Sequence, residues 1–317
     1  MSQTGRILVT GASGFIGRAV VAGLASRGSD VRAAVRRPPQ FPFAAGVEVM
    51  QHADLTQAID WRPLIDGVDR VVHLAGIAHA RRGVAPELYD QINREATARL
   101  AAAAARAGVA HFVFVSSIRA QSGAAADHVL TERDMAAPTA GYGRSKLAAE
   151  AELRAAGVPF TVLRPAPLYG PGVKGNFALL LRAARSRWPL PVKNFANRRS
   201  LLGIDNFVSA LAFVLGEPTT RGETYIVADP GPAPRLADMI AALRVAQRRR
   251  PLLLPLPTDF VEIPLRLVGR FDLWERLGGD LQVDPGKLVA AGWQPAHDTQ
   301  NGLAALAQAA ARRSASA

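Results

Sequence analysis

Between a short apolar run, Arg6–Thr10, and an amphipathic stretch, Ile16–Arg27, the chain reads Thr10-Gly11-Ala12-Ser13-Gly14-Phe15-Ile16-Gly17. Three glycines between a strand and a helix admit few backbones. Gly11 permits a tight turn, Gly14 lets the backbone approach a pyrophosphate at the positive helix N-terminus, and Gly17 lets the helix pack closely on the strand. A structural turn is the alternative reading. The position of this one, at residue 10 of a βαβ series, favours dinucleotide binding, with Gly11, Ser13, Gly14, Phe15, Ile16 and Gly17 as candidate cofactor contacts.

The same alternation continues. Strand-like runs at Val31–Val35, Val47–Met50, Arg70–Leu74, His111–Ser116 and Phe160–Leu163 are separated by helical patterns, among them Pro86–Ala107 and Tyr142–Ala156. Apolar strands alternating with helices predict an α/β fold, a Rossmann-like doubly wound parallel sheet covered on both faces. After about Pro165 prolines and glycines cluster and the rhythm changes. Residues 1–165 are expected to form the dinucleotide-binding domain, and 166–317 mainly a smaller mixed α/β substrate-binding domain, with segments around 200–230 returning to the first. A length of 317 residues suits that division.

The end of the second strand discriminates between cofactors. An acidic residue there holds the NAD ribose, whereas arginine accommodates the 2′-phosphate of NADP. Here it reads Val35-Arg36-Arg37-Pro38, without a carboxylate. NADP(H) is therefore favoured, with Arg36 as main phosphate contact; NAD(H), with two merely solvated arginines, is the alternative.

Tyr142-Gly143-Arg144-Ser145-Lys146 opens a helix, so Tyr142 and Lys146 share a face at i and i+4. A neighbouring ammonium is expected to lower the phenol pKa and make Tyr142 an acid/base near neutrality. Ser116-Ser117 closes a strand at its C-terminal end, where α/β sheets bind ligands, so a hydroxyl there can share the substrate oxygen. A Tyr-x-x-x-Lys alone is often a surface helix start. The ordered set of glycine turn, strand-end serine and Tyr/Lys pair is far more specific.

With these motifs the chain resembles the extended short-chain dehydrogenases/reductases of the NAD(P)-dependent nucleotide-sugar epimerase/dehydratase type. The resemblance also rests on Asp54-Leu55, His73-Leu74-Ala75-Gly76, Asn93, and Leu163-Arg164-Pro165 with Tyr169-Gly170-Pro171-Gly172. It implies that Asp54 and Leu55 contact the adenine side, that Ala75, Gly76 and Pro165 line the cofactor, and that Lys146 holds the nicotinamide ribose. Tyr142 with Ser117 then carries proton transfer at a sugar hydroxyl or ketone. Arg199, in Asn197–Asn206, implies a clamp on a UDP pyrophosphate, and Asn176 a contact to the nucleotide-sugar. The Arg-Ser-Leu-Leu-Gly-Ile-Asp-Asn segment and Leu281–Asp284 are similar to a subgroup acting on UDP-N-acetyl-4-keto-6-deoxyhexosamines. The expected activity is NADP(H)-dependent reduction of the C4 ketone; the alternatives are an NAD-dependent UDP-sugar 4-epimerase and a non-catalytic NADP sensor. The resemblance further implies a homodimer through Pro86–Ala107 and Tyr142–Ala156.

The net charge of +12 raises nucleic acid as a partner. Aromatic residues make up only 6%, and Phe112 and Phe114 alternate as core residues do, so no nucleic-acid partner is expected. Arg36 and Arg199 place charge where phosphorylated ligands would sit, while Arg81, Arg82 and Gln247–Arg250 read as solvated surface. Cysteine is absent and the six histidines form no metal-ligand spacing, so neither disulfide nor metal site is expected. Met1–Arg6 has no export signal, and Pro251–Phe271 is too broken by proline and charge to span a bilayer. A cytoplasmic protein without a membrane partner is the expectation.

Overall fold

The computed structural model describes residues 5–77, 84–173, 176–269 and 278–315. Arg81 and Arg82 lie outside them.

The strands among these residues are β1 (Arg6–Thr10), β2 (Val31–Val35), β3 (Glu48–Gln51), β4 (Val68–His73), β5 (His111–Val115), β6 (Val129–Leu130), β7 (Phe160–Pro165), β8 (Leu168–Tyr169), β9 (Leu202–Gly203), β10 (Thr224–Val227) and β11 (Gln282–Val283). Seven make one sheet in the order β10-β7-β5-β4-β1-β2-β3. Every neighbouring pair in it is parallel. The chain winds outward from β1 to β3, then crosses back and winds the other way from β4. The reversal between β1 and β4 is the topological switch point, and ligands of such sheets bind at the strand ends there. The fold is the Rossmann-like doubly wound α/β arrangement that the alternating pattern predicts.

Period-two alternation sends each strand's side chains to opposite faces. Ile7, Val9, Val113 and Val115 join one apolar cluster; Leu8, Phe112 and Phe114 join the other. The helices Phe15–Ala25 and Ile204–Gly216 cover the first face through Val20, Leu24, Phe207 and Leu211. The helices Ala96–Arg106 and Gly141–Ala155 cover the second through Leu100, Ala104, Ala149 and Leu153. Burial on both sides explains why β2 and β5 carry almost continuous apolar residues.

Beyond β7 a third cluster forms away from the sheet, from Tyr169, Phe177, Phe195, Leu243 and Leu306 among others. It is tied to the sheet by Asp229, which follows β10 and is buried. Its carboxylate accepts hydrogen bonds from the Tyr169 hydroxyl (2.7 Å), Gly203 N (2.8 Å), Asn206 Nδ2 (2.8 Å) and Thr299 Oγ1 (3.1 Å). Four donors offset the desolvation of one buried carboxylate.

Two histidines sit inside the sheet layer. His73 bonds the Thr10 hydroxyl (2.7 Å) and the Thr97 hydroxyl (3.0 Å) and stacks on Phe114. His111 bonds the Thr161 hydroxyl at 2.8 Å. Burial lowers His73 to about 3, aided by the charges of Lys146 and His52, and lowers His111 to about 4, aided by Arg221 and Arg70. The unfolded chain takes up these protons near pH 6.5 and the native chain does not, so stability is complete above that pH and is lost as the pH falls toward 4. The melting temperature should drop across that window, and His111→Asn should flatten part of the slope. A melting temperature that does not change with pH would exclude this account.

Candidate active site

The turn after β1 turns on two glycines. Gly11 has φ +67°, the left-handed region that side chains disfavour. A Cβ on Gly17 would stand 2.2 Å from Gly11 O, so the helix can lie this close to the turn only without one. The helix Phe15–Ala25 starts at Gly14 with no side-chain cap and no acidic residue in its first turn. Its free N–H groups and positive end therefore suit an anion. A Cβ on Gly14 would meet only Gly11 O, at 3.2 Å. Apart from that carbonyl and the adjoining residues, nothing lies within 4 Å of that Cβ position, and the uncapped helix start beside it suits a pyrophosphate.

Next to the turn, at the end of β4, Ala75 N donates to Thr10 Oγ1 at 3.3 Å. Gly76 follows, where a Cβ would meet Asn93 Oδ1 at 2.7 Å and Lys146 Nζ at 3.5 Å. Asn93 lies in a wide π-type turn, Asp90–Glu95, within the run of helix from Pro86 to Arg106. Its buried amide receives Ile77 N (2.9 Å) and donates to Ile77 O (3.1 Å) and Ser145 Oγ (2.9 Å). The strand end is thereby fixed to the helix that carries Tyr142 and Lys146.

At the end of β5, Ser117 caps the short helix Ile118–Gln121, accepting Arg119 N at 3.1 Å. Its hydroxyl lies near that of Tyr142, close enough to oppose the rise in the phenol's pKa. Lys146 is buried, donates to Val115 O at 3.0 Å and lies 4.6 Å from the centre of the Phe114 ring. Lys146 thus lies at the end of β5 beside Gly76, and Tyr142 lies near Ser117. Their electrostatics differ from the expectation that Lys146 lowers Tyr142. Burial raises the phenol above its usual 10, against the opposing effects of the Ser117 hydroxyl and the Arg119 charge. Burial likewise lowers Lys146 to about 8, partly countered by Glu150. The lysine reaches the β5 carbonyl rather than the tyrosine, and loss of solvent dominates both groups. At neutral pH the Tyr142 phenol is therefore protonated.

Beneath this trio lies a buried ionic network that the motifs did not reveal. Arg164 on β7 forms a two-pronged pair with Glu150, Nη2 to Oε2 at 2.6 Å and Nε to Oε1 at 2.9 Å. Ser116 donates to the same carboxylate at 2.6 Å, and Arg164 also bonds the Gln121 side chain. The available signal was Glu150 four residues after Lys146, on the same helix face. From Gln121 to Thr139 the chain bounds a cavity of about 320 Å³ whose polar lining includes Ser122, His128, Asp134 and Thr139.

The other candidates are spread around this edge. Arg36, 60% exposed, pairs with Asp54 at 2.8 Å. Asp54 is held below the usual carboxylate range by the Thr56 backbone N–H and by Arg36. Leu55 is buried in the second cluster with Ala75, and Pro165 ends β7. The Arg199 guanidinium donates to Gly279 O (2.7 Å) and Ala124 O (3.0 Å), joining two distant loops. Two residues before it, the Asn197 amide is buried with neither polar atom hydrogen-bonded. Such an orphan costs about 1–3 kcal/mol unless a ligand satisfies it. Asn176 opens the helix Asn176–Ala184, and its side chain lies outside the described residues. Among the described residues no cluster of three His, Asp or Glu could hold a metal, and no helix is long and apolar enough to cross a membrane.

Residues 7–228 match the NAD dependent epimerase/dehydratase family. The chain is 32% identical to a UDP-glucose 4-epimerase of Vibrio cholerae, over 96% of its own length and 94% of that protein. It is 34% identical to a ceramide reductase of Caulobacter vibrioides over 65% of its length and 60% of that protein. Among solved structures it superposes on MoeE5 in complex with UDP-glucose and NAD at a TM-score of 0.76 and 25% identity, covering 98% of this chain and 100% of that one.

Proposed function

The chain belongs to the NAD-dependent epimerase/dehydratase family and is an NAD(P)-dependent enzyme, and on that premise we propose that it is a UDP-sugar 4-epimerase. The observation that supports this reading most is the placing of Lys146 against the end of β5 and Gly76, with Ser117 near Tyr142, at the sheet edge that holds the glycine turn. Full-length similarity to the Vibrio cholerae UDP-glucose 4-epimerase, and to MoeE5 with its UDP-glucose and NAD, supports the substrate class.

In this reading the residues from Gly11 to Gly17 hold the pyrophosphate, while Ala75, Gly76 and Pro165 line the cofactor and Asp54 with Leu55 flanks its adenine side. Lys146 binds the nicotinamide ribose. Bound NAD supplies the acceptor, and then the donor, of the C4 hydride. Beside the positive nicotinamide ring of bound NAD the pKa of the Tyr142 phenol would fall; as phenolate, Tyr142 would take the proton of the sugar 4-hydroxyl as its C4–H and O–H bonds break, and return it when hydride comes back on the other face. Ser117 hydrogen-bonds the reacting oxygen throughout. Hydride and proton both return, so no net oxidation occurs. Asn176 and the orphan amide of Asn197 are the proposed contacts to the UDP-sugar, with Arg199, already bonded to Gly279 O and Ala124 O, shaping that subsite.

A second reading, reduction of a UDP-4-keto-6-deoxy-N-acetylhexosamine by NADPH, is favoured by two observations. β2 ends in Arg36-Arg37 without a carboxylate, and Tyr142 is held protonated, as donation to a developing alkoxide requires. Against it, Asp54 already pairs with Arg36. One experiment separates the two. Purified protein is given UDP-glucose with NAD or, in parallel, the 4-ketosugar with NADPH. Epimerase activity predicts UDP-galactose and unchanged absorbance at the nicotinamide band in the first tube; stoichiometric NADPH oxidation in the second tube, with no UDP-galactose in the first, selects the reductase.

A further inference from the structure

One region of the surface is both apolar and basic. Residues 182–193 and 244–268 carry nine of the chain's 38 Lys and Arg but only two of its 26 Asp and Glu. The buried Arg244 fastens the two segments together, donating to Trp188 O (2.7 Å), Ser186 O (3.3 Å) and Pro251 O (3.2 Å). Leu190 N also donates to Leu252 O (3.0 Å) and Leu254 N to Leu190 O (2.9 Å). Side by side, they present Trp188, Leu252 and Leu254 to solvent, Trp188 at 79% exposure. Five residues after Leu254 begins the helix Asp259–Leu267. Phe260, Ile263 and Leu267, spaced three and four apart, share one face, and each is more than half exposed. On the same two stretches of chain Arg187, Arg248, Arg249 and Arg250 are exposed, and of the two acids Glu262 is already paired with Arg266.

Soluble proteins seldom leave so much large apolar surface in one region without using it. An amphipathic helix with an aromatic and aliphatic face beside clustered cations suits the interface of an anionic bilayer, where apolar groups enter the headgroup boundary and guanidinium groups meet lipid phosphates. A protein partner of ordinary composition would need an acidic rim of its own, whereas an anionic lipid surface supplies negative charge everywhere. We propose that this face seats the protein peripherally on an anionic membrane surface, with Phe260, Ile263, Leu267 and Trp188 inserted and Arg248–Arg250 on the phosphates. Nothing in this depends on which sugar reaction the active site performs.

The test is sedimentation of the full chain with vesicles of phosphatidylcholine, either alone or containing about a third phosphatidylglycerol. Binding is expected to the anionic vesicles, weak on the neutral ones, and reduced at high salt as surface charge is screened. The Ile263→Glu, Leu267→Glu double variant should lose at least about fivefold of the bound fraction with an unchanged melting temperature, because it removes insertion from an exposed face. Replacing Arg248, Arg249 and Arg250 by Gln should weaken binding and flatten its salt dependence. The proposal is overturned if the protein stays in the supernatant with anionic vesicles, or if the double variant binds them as well as the parent. It is equally overturned if that variant instead turns a dimer into a monomer in sedimentation velocity, which would make this face a contact between copies.

Discussion

Replacing Tyr142 by phenylalanine should lower kcat by roughly a thousandfold, within the range by which positioned acid–base groups accelerate proton transfer. The substitution removes one oxygen and keeps the ring, which stands 6.3 Å from Tyr89 at the helix start. Packing is preserved, so the melting temperature and the affinities for cofactor and UDP should be nearly unchanged. A loss confined to kcat identifies a group that acts in the transition state rather than in binding. Ser117→Ala should cost less, about a hundredfold, because it leaves the proton donor in place. Steady-state kinetics with calorimetric binding checks both; a Tyr142→Phe variant within tenfold of the parent would remove Tyr142 from the chemistry.

The second large effect is on stability. Glu150 is fully buried, and its carboxylate is the partner of Arg164, itself 7% exposed at the side chain. Glu150→Ala leaves a buried guanidinium without its counter-charge and Ser116 without its acceptor. Breaking such a pair from one side costs about 3–5 kcal/mol. Urea denaturation should show that loss, and the Glu150→Ala, Arg164→Met double variant should recover a large part of it, since the stranded charge is then gone. Equal losses in the single and double variants would mean that packing, not the ion pair, sets the cost. Because Ser116 precedes Ser117, the single variant is also expected to shift the Ser117 hydroxyl and lower activity beyond its effect on folding.

Local and periodic features were legible in the sequence. The glycine turn, the apolar strands and the Tyr142–Lys146 spacing are each written within a few residues, and they led to the parallel sheet and to the edge proposed here as the active site. What escaped depends on side chains brought together from far apart. Arg36 reads as a free phosphate contact until Asp54, eighteen residues on, is seen against it. Arg199 reads as a clamp with open donors, whereas the fold gives it carbonyls 75 and 80 residues away. The i, i+4 rule rightly places Lys146 on the face of Tyr142. It does not convey that burial, rather than their mutual charge, governs both pKa values. The stretch Pro251–Phe271 was readable as unable to span a bilayer; that its helix Asp259–Leu267 leaves an apolar face open follows only from the fold.

The central claim is that this sheet edge moves hydride at C4 of a UDP-sugar and puts it back. UDP-glucose carrying deuterium at C4 tests it most directly, with the product read by proton NMR. The account predicts UDP-galactose with the deuterium still at C4 and no net reduction of added NAD. UDP-galactose whose C4 deuterium has washed out to solvent, or no interconversion by a folded, cofactor-loaded protein, would contradict it.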